Sequence, residues 1–192
     1  MQIGKAVLSK FCGAILGALL FGHGLKADSE MPEGFSVHLR PWYNFVHMEG
    51  PIVRGQSAYE FRRALRGNEI HVLSLSSVGG SLEEAILIAE MVYDLGLETY
   101  VHDDELCASA CAIIFFAGKQ RLLLGHLGVH QFLSVDGEGT DIGAQAVVAE
   151  LLDLITKYDV RIEVLRQMMA TSPDEMFWYG PESAAAFSRP FQ

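Results

Sequence analysis

The spacing of apolar positions predicts an alternation of strands and helices from residue 35 onwards. Short apolar or alternating runs predict strands at 35–39, 43–48, 70–75, 97–101, 121–124 and 127–131. Apolar residues three and four apart predict helices at 57–65, 81–95, 108–117, 144–158 and 161–170. A glycine-rich polar loop is expected at 135–143. This order indicates a single α/β domain over 35–192, with a mainly parallel sheet flanked by helices.

The clearest unit is a strand, a long helix and a second strand between residues 70 and 101. Ser81 is placed to cap the helix, and Glu83 and Glu84 follow in the first turn, where acidic residues favour the positive end of the helix. Gly96 is expected to end the helix, because glycine readily adopts the left-handed conformation found there. Two parallel strands joined in this way need a right-handed crossover.

The first 27 residues have the pattern of a secretory signal peptide. Lys5 and Lys10 precede an apolar run over 11–22, and small residues follow it. The run is shorter than the ~20 residues that cross a bilayer. We therefore expect a signal peptide at 1–27 and a polar tether at 28–34, which predicts a periplasmic or secreted protein. The alternative is an uncleaved anchor, in which residues 11–22 hold the protein at a membrane.

The charge of the chain argues against binding to nucleic acid. Lys and Arg total 14 against 24 Asp and Glu, which gives a formal net charge of −10. Cleavage after residue 27 would remove three lysines and no acidic residue, so the charge would change by three units to −13. A phosphate backbone is bound mainly by Lys and Arg side chains, and a strongly negative protein repels it. We expect no nucleic-acid partner.

Two of the three cysteines, Cys107 and Cys111, lie outside the predicted signal peptide. An even number of cysteines in an oxidising compartment predicts a disulfide between them. The alternative is a pair of small buried thiols. Their spacing does not match a zinc site, and the sequence has no phosphate-binding GxxxxGK[ST] loop. We expect neither a metal nor another cofactor.

Three short motifs lie at the ends of predicted strands or the starts of predicted helices. Gly79 and Gly80 follow the strand at 70–75. Ser109 lies between the two cysteines, and His130 lies at the end of a later strand. The carboxyl ends of parallel strands meet at one edge of a sheet, so we expect these residues to line one cleft. Glycines let main-chain N–H groups approach a substrate oxygen, and a nearby histidine can activate a serine hydroxyl.

The order and spacing of these motifs resemble the proteolytic subunit of the Clp protease, within the ClpP/crotonase superfamily. In that family a Gly-Gly turn is followed by a serine among small residues and then by a histidine after a short strand. The resemblance implies a ClpP/crotonase-like fold of repeated β-β-α units. It also implies that Ser109 is the nucleophile and His130 its base. The oxyanion hole would be formed by the N–H groups of Gly79 and Ala110, with Gly80 beside them.

The sequence departs from the family pattern and leaves the third catalytic group open. Val78 replaces the usual proline before the glycines, and Ala110 replaces a larger residue after the serine. The resemblance points to Glu175 or the adjacent Asp174 as the acidic group that orients the histidine. The same Ser-Pro-Asp-Glu stretch is also typical of a helix N-terminus. A Ser-His dyad is therefore the alternative to a triad.

Two other residues are weaker candidates for the base. His126 lies one strand-length before His130. Lys157 is considered because a more distant relative, signal peptide peptidase A, uses a Ser-Lys pair. Neither matches the order of the three motifs as well as His130 does.

These observations predict an exported serine endopeptidase that acts on a peptide or protein substrate through a Ser-His acyl-enzyme. The alternative is a catalytically inactive scaffold of the same fold that binds peptide segments. Acyl-CoA chemistry, as in crotonases, is disfavoured by the export signal and the negative charge. The resemblance also implies a homo-oligomer, with the helices at 144–158 and 161–170 as the contact surface. The aromatic run at 177–179 is interpreted as core or as an oligomer contact.

Overall fold

The computed structural model describes residues 34–40, 44–132 and 141–187, without the side chains of residues 141, 142, 144 and 184–186. The predicted signal or anchor, nearly all of the tether, and most of the 135–143 loop lie outside the described residues. The described part is a mixed α/β structure with two mostly parallel sheets and five α-helices. The sequence indicated an α/β protein but only one sheet.

The larger sheet has five strands in the order β1-β2-β3-β4-β6. Its strands are β1 Ser36–Arg40, β2 Phe45–Glu49, β3 Val72–Ser76, β4 Glu98–Val101 and β6 Arg121–Leu123. β1 runs antiparallel to β2, and the other three pairings are parallel. The five strand predictions for this sheet are confirmed, with shifts of one or two residues at their ends.

The smaller sheet has three strands in the order β5-β7-β8. Its strands are β5 Leu106–Ala108, β7 His126–Val129 and β8 Phe177–Tyr179. β5 and β7 are parallel, whereas β8 is antiparallel to β7. The hydrophobic pattern did not predict β5 or β8, because neither Leu-Cys-Ala nor Phe-Trp-Tyr alternates between apolar and polar residues. The aromatic run is therefore a strand at one side of this sheet, and its first two side chains are exposed.

The five helices connect these strands and supply most of the core. They are α1 Ser57–Leu65, α2 Leu82–Asp94, α3 Ala110–Phe116, α4 Asp141–Lys157 and α5 Ile162–Ala170. α3 is wholly apolar and all of its residues are buried, which makes it a central element of the core. α4 begins at Asp141, so it includes residues that the sequence placed in the 135–143 loop. In the described part of the chain, no helix has the length and apolarity needed to cross a membrane.

The predicted cap and end of α2 are confirmed. The Ser81 hydroxyl accepts a hydrogen bond from the Glu84 N–H at 3.4 Å. Gly96 follows the helix with a φ of +63°, a backbone conformation that residues other than glycine adopt only at a cost in free energy. Ala85, Ile88 and Val92 lie fully buried on the packing face of the helix. α2 therefore begins at a defined residue directly after the Gly-Gly turn.

Glu84 is a buried carboxylate that joins α2 to the loop before α1. Its side chain accepts hydrogen bonds from the Gly55 N–H and the Ala58 N–H, both at 2.8 Å. A buried charge is tolerated when its oxygens are hydrogen-bonded in this way. Ile52, at the start of the same loop, pairs with Gly80 through main-chain hydrogen bonds. Glu84 thus helps to hold the loop that supports the Gly-Gly turn.

We expect Glu84→Gln to lower the free energy of unfolding by about 1–3 kcal/mol, the usual cost of leaving a buried polar group unsatisfied. The amide has one acceptor oxygen in place of two, so its NH₂ group would face a main-chain N–H. The measurement is urea unfolding followed by circular dichroism. Glu90→Gln, on the exposed side of the same helix, is the matched control. Equal midpoints for the two variants would contradict this role for Glu84.

Candidate active site

Main-chain hydrogen bonds bring the end of β3, the start of α3 and the end of β7 together. The Ser77 N–H donates to the Leu106 carbonyl at 2.8 Å, and the Ala108 N–H donates back to the Ser77 carbonyl at 2.8 Å. The Ser109 N–H donates to the Gly128 carbonyl at 2.9 Å. The main chain of Ser109 is therefore fixed between the glycine turn and the strand that leads to the histidine.

Ser109 has an unusual backbone conformation. Its φ is +56° and its ψ is −124°, between the end of β5 and the first residue of α3. Such a conformation costs a non-glycine residue about 1–3 kcal/mol, and residues held in this way cluster at functional sites. The chain turns sharply at Ser109, in the manner of the strand-to-helix turns that expose nucleophiles. This strain could not be predicted from residue type, because serine is not a residue that favours positive φ.

Cys107 and Cys111 form a bonded pair across this turn. Their sulfur atoms lie 1.98 Å apart and their Cα atoms 5.3 Å apart. Both side chains are fully buried. The sequence placed both residues near one helix, but Cys107 lies in β5 and Cys111 in α3. The disulfide therefore joins the segment before Ser109 to the segment after it.

His130 lies just after β7 and contacts Ser109 directly. Its Nε2 is 2.7 Å from the Ser109 Oγ, and its Nδ1 is 3.0 Å from the Pro173 carbonyl oxygen. A carbonyl oxygen only accepts, so in the neutral ring Nδ1 must carry the proton. Nε2 then has a free lone pair, which accepts the Ser109 hydroxyl hydrogen. This tautomer is the one that a general base for serine requires.

The expected acidic partner of His130 is replaced by a main-chain carbonyl. Asp174 and Glu175 are exposed, and no carboxylate of the described residues hydrogen-bonds to His130. The Glu175 N–H donates to the Ser172 carbonyl at 3.0 Å, which closes a turn over these residues. The turn presents the Pro173 carbonyl to the ring instead of either acidic side chain. The sequence prediction of an acidic third member at Glu175 or Asp174 is thus corrected to a backbone group.

The main-chain donors beside Ser109 also differ from the expectation. The Gly79 N–H donates to the buried Ser77 hydroxyl at 3.1 Å, so it is already satisfied. Within the described part of the chain, the Gly80 N–H and the Ala110 N–H have no acceptor. The prediction that Gly79 supplies a donor stays a prediction, and Gly80 is the alternative donor of the glycine turn because Ser77 occupies the Gly79 N–H. Ala110, the other predicted donor, is the first residue of α3.

Gly79 lies in direct contact with the serine turn. Its φ is +93°, and a Cβ built on it would lie 2.6 Å from the Ala108 carbonyl oxygen and 2.7 Å from the Ser109 Cβ. Only glycine fits this approach without displacing backbone atoms. The sequence indicated a glycine turn here, and the structure shows that its second function is to make room for Ser109.

These groups open into a cleft of about 360 Å³. Its lining consists of Arg54, Gly80, Ser81, Leu82, Ser109, His130, Gln131 and Phe132. The main chain of Gln131 is held by a hydrogen bond, in which its N–H donates to the Thr171 carbonyl at 3.1 Å. The cleft is mainly apolar, and its polar side chains are those of Arg54, Ser81, Ser109, His130 and Gln131. Such a cleft can hold an extended polypeptide segment with its carbonyl group near Ser109.

The weaker candidates lie in other contacts. The His126 ring meets the Trp178 ring edge to face at 6.4 Å. The Lys157 Nζ lies 4.8 Å from the centre of the Tyr93 ring. The hydrogen bond that the His102 ring donates to Asp104 raises the pKa of His102, which belongs to an exposed acidic loop and not to the cleft. Neither His126 nor Lys157 is brought to Ser109.

Comparisons with known proteins agree with this geometry only at the level of the fold. No family model matches the sequence, and no curated protein matches it significantly. Among solved structures, the chain is similar to a serine-to-alanine mutant of the 1510-N membrane-bound stomatin-specific protease. The TM-score is 0.55 at 13% sequence identity, over 75% of this chain and 74% of that one. At this identity the similarity shows a shared protease-like α/β fold and does not assign an activity.

We expect Gly79→Ala to reduce the reactivity of Ser109 toward a fluorophosphonate by about 10²-fold, the typical effect of a misplacement near 1 Å. The new methyl group would push against the Ala108 carbonyl and Ser109. Gly96→Ala is the control, because Gly96 also has positive φ but nothing lies within 4 Å of its Cβ position. Circular dichroism establishes that both variants are folded. Unchanged labelling of folded Gly79→Ala would contradict the proposed contact.

Proposed function

We propose that this chain is an exported serine peptidase-like hydrolase of the ClpP/crotonase type, which cleaves peptide bonds through an acyl-enzyme at Ser109. The observation that carries the proposal is the 2.7 Å contact between the Ser109 Oγ and the His130 Nε2, at a serine with positive φ. The protease-like fold of the solved relative supports it.

The first half of the reaction forms the acyl-enzyme. The Ser109 Oγ attacks the carbonyl carbon of the scissile peptide bond while its proton passes to the His130 Nε2. The carbonyl oxygen becomes an oxyanion, which accepts hydrogen bonds from the Gly80 and Ala110 N–H groups. The Pro173 carbonyl holds the Nδ1–H and stabilises the imidazolium that forms. The bond to nitrogen then breaks, and His130 returns the proton to the leaving amine.

The second half releases the acyl group. A water molecule takes the place of the amine and gives a proton to the His130 Nε2 as its oxygen attacks the ester carbon. The same two N–H groups stabilise the second oxyanion. The bond to the Ser109 Oγ breaks, the serine regains its proton, and the acid product leaves. Besides the attacking water, every step uses side-chain and main-chain groups of the described residues.

The proposal includes export and self-association. The signal-like pattern at 1–27 and the bonded cysteine pair suit an oxidising periplasmic or extracellular compartment. If the first 27 residues stay attached, the apolar run at 11–22 makes the protein membrane-anchored instead. Val148 and Leu152 on α4 and Ile162 on α5 are exposed apolar residues. Their exposure supports a homo-oligomer in which these helices form the contact surface.

We expect the wild-type protein to take up one fluorophosphonate group per chain, because an activated serine displaces fluoride from phosphorus. Intact mass is the measurement. Ser109→Ala should abolish the adduct, and His130→Ala should slow its formation by at least about 10²-fold, within the range of general-base effects. The matched controls are Ser74→Ala, a buried serine of β3, and His126→Ala, which should both label like the wild type.

The second candidate function is a peptide-binding scaffold with a silent site. The absence of a carboxylate on His130, within the described residues, is the observation that favours it. If the folded wild-type protein forms no adduct, the result would contradict the peptidase proposal and favour the scaffold. A peptide that binds wild type and Ser109→Ala equally, without cleavage, would then be expected.

We expect Asp174→Asn and Glu175→Gln to change the labelling rate by no more than about twofold, as for ordinary surface substitutions. Both side chains are exposed, and the His130 Nδ1 is held by the Pro173 carbonyl. The measurement is the rate of adduct formation in the two single variants. A fall of about 10⁴-fold in either one, as for loss of a triad carboxylate, would show that this residue orients His130.

A further inference from the structure

We infer that Arg54 makes the cleft selective for substrates that carry a carboxylate near the scissile bond. The inference rests on the proposed function, since it assigns a substrate class to the Ser109 site. The carboxylate is the side chain of an acidic residue or the C-terminus of the substrate. Both sources present the same planar anion to a guanidinium group.

Arg54 is the one permanently charged side chain among the described residues that line the cleft. The remaining lining is apolar or neutral apart from His130. The chain as a whole has a net charge of −10, so its net charge repels an acidic substrate. A single cationic group at the cleft would therefore determine where the negative group of such a substrate lies.

The position of Arg54 is fixed relative to the catalytic groups. The Ile52 N–H donates to the Gly79 carbonyl at 2.8 Å, and the Ser81 N–H donates to the Ile52 carbonyl at 2.9 Å. Arg54 follows two residues later, and the next residue is bound by buried Glu84. The Arg54 backbone is thus held on both sides, directly beside the turn that presents the Gly80 N–H.

The guanidinium group is held at one edge. Its Nε and Nη2 both donate to one oxygen of Glu83, at 3.2 and 2.9 Å. No described residue accepts a hydrogen bond from Nη1. The Arg54 side chain is 68% exposed, so a ligand can reach it from the cleft. Arginine binds carboxylates through two parallel N–H groups, which makes it the side chain best suited to this recognition.

Glu83 has a second effect, because it competes with a substrate carboxylate for the same guanidinium. Its removal should free both donor edges of Arg54 and strengthen the preference for an acidic substrate. Loss of Arg54 should abolish that preference. Opposite responses to two substitutions within one ion pair distinguish this role from a purely structural one.

The test uses the full-length protein and three competitor peptides of one sequence. The first has an internal Glu and a C-terminal amide, the second an internal Gln and a free C-terminal carboxylate, and the third an internal Gln and a C-terminal amide. The readout is protection of Ser109 from a neutral fluorophosphonate. In that reaction the Oγ–P bond forms, the P–F bond breaks, fluoride leaves and the serine proton passes to His130.

We expect one carboxylate peptide to protect wild type better than the neutral peptide by about three- to fivefold at low salt, a size typical of an exposed ion pair. The peptide that does so identifies the source of the carboxylate. Arg54→Gln should remove the difference and Glu83→Gln should increase it. Arg62→Gln, an exposed arginine of α1 with the same change in charge, is the control and should leave it unchanged.

Two results would overturn the inference while leaving the proposed function intact. One is that all three peptides protect Ser109 equally well in a protein that labels normally. The other is an equal loss of preference in Arg54→Gln and Arg62→Gln, which would assign the effect to net charge. A folded wild-type protein that never labels would instead overturn the proposed function, and the inference with it.

Discussion

The close approach of Gly79 to Ser109 is the constraint on which the rest of the site depends. The space where a Cβ would lie on Gly79 is occupied by the Ala108 carbonyl and the Ser109 side chain. This approach brings the end of β3 against the start of α3. The donors of the glycine turn then lie beside the serine, and hydrogen bonds through Ser77 keep both segments in register.

The site is organised mainly by backbone groups. A main-chain carbonyl holds His130, main-chain N–H groups are the open donors, and main-chain hydrogen bonds fix Ser109. The bonded Cys107–Cys111 pair and the buried helix α3 hold a serine conformation that is unfavourable in isolation. Few side chains beyond serine and histidine therefore determine the geometry of the site.

The sequence predicted the parts of the fold and site that depend on side-chain pattern. The strands of the larger sheet, the cap at Ser81 and the end at Gly96 followed from hydropathy and helix-end preferences. Ser109 and His130 followed from motif order, and the structure places their side chains in contact. The features that the sequence did not predict depend mainly on where backbone N–H and carbonyl groups point. The contact of the Pro173 carbonyl with His130, the strands β5 and β8 and the hydrogen bond between Gly79 and Ser77 cannot be recognised from residue type.

The most direct test of the account is a crystal structure of the fluorophosphonate-treated protein. We expect phosphorus bonded to the Ser109 Oγ, with one phosphoryl oxygen accepting hydrogen bonds from the Gly80 and Ala110 N–H groups. The His130 Nδ1 should remain on the Pro173 carbonyl. An adduct at another residue, or a phosphoryl oxygen that leaves both N–H groups without an acceptor, would contradict the account.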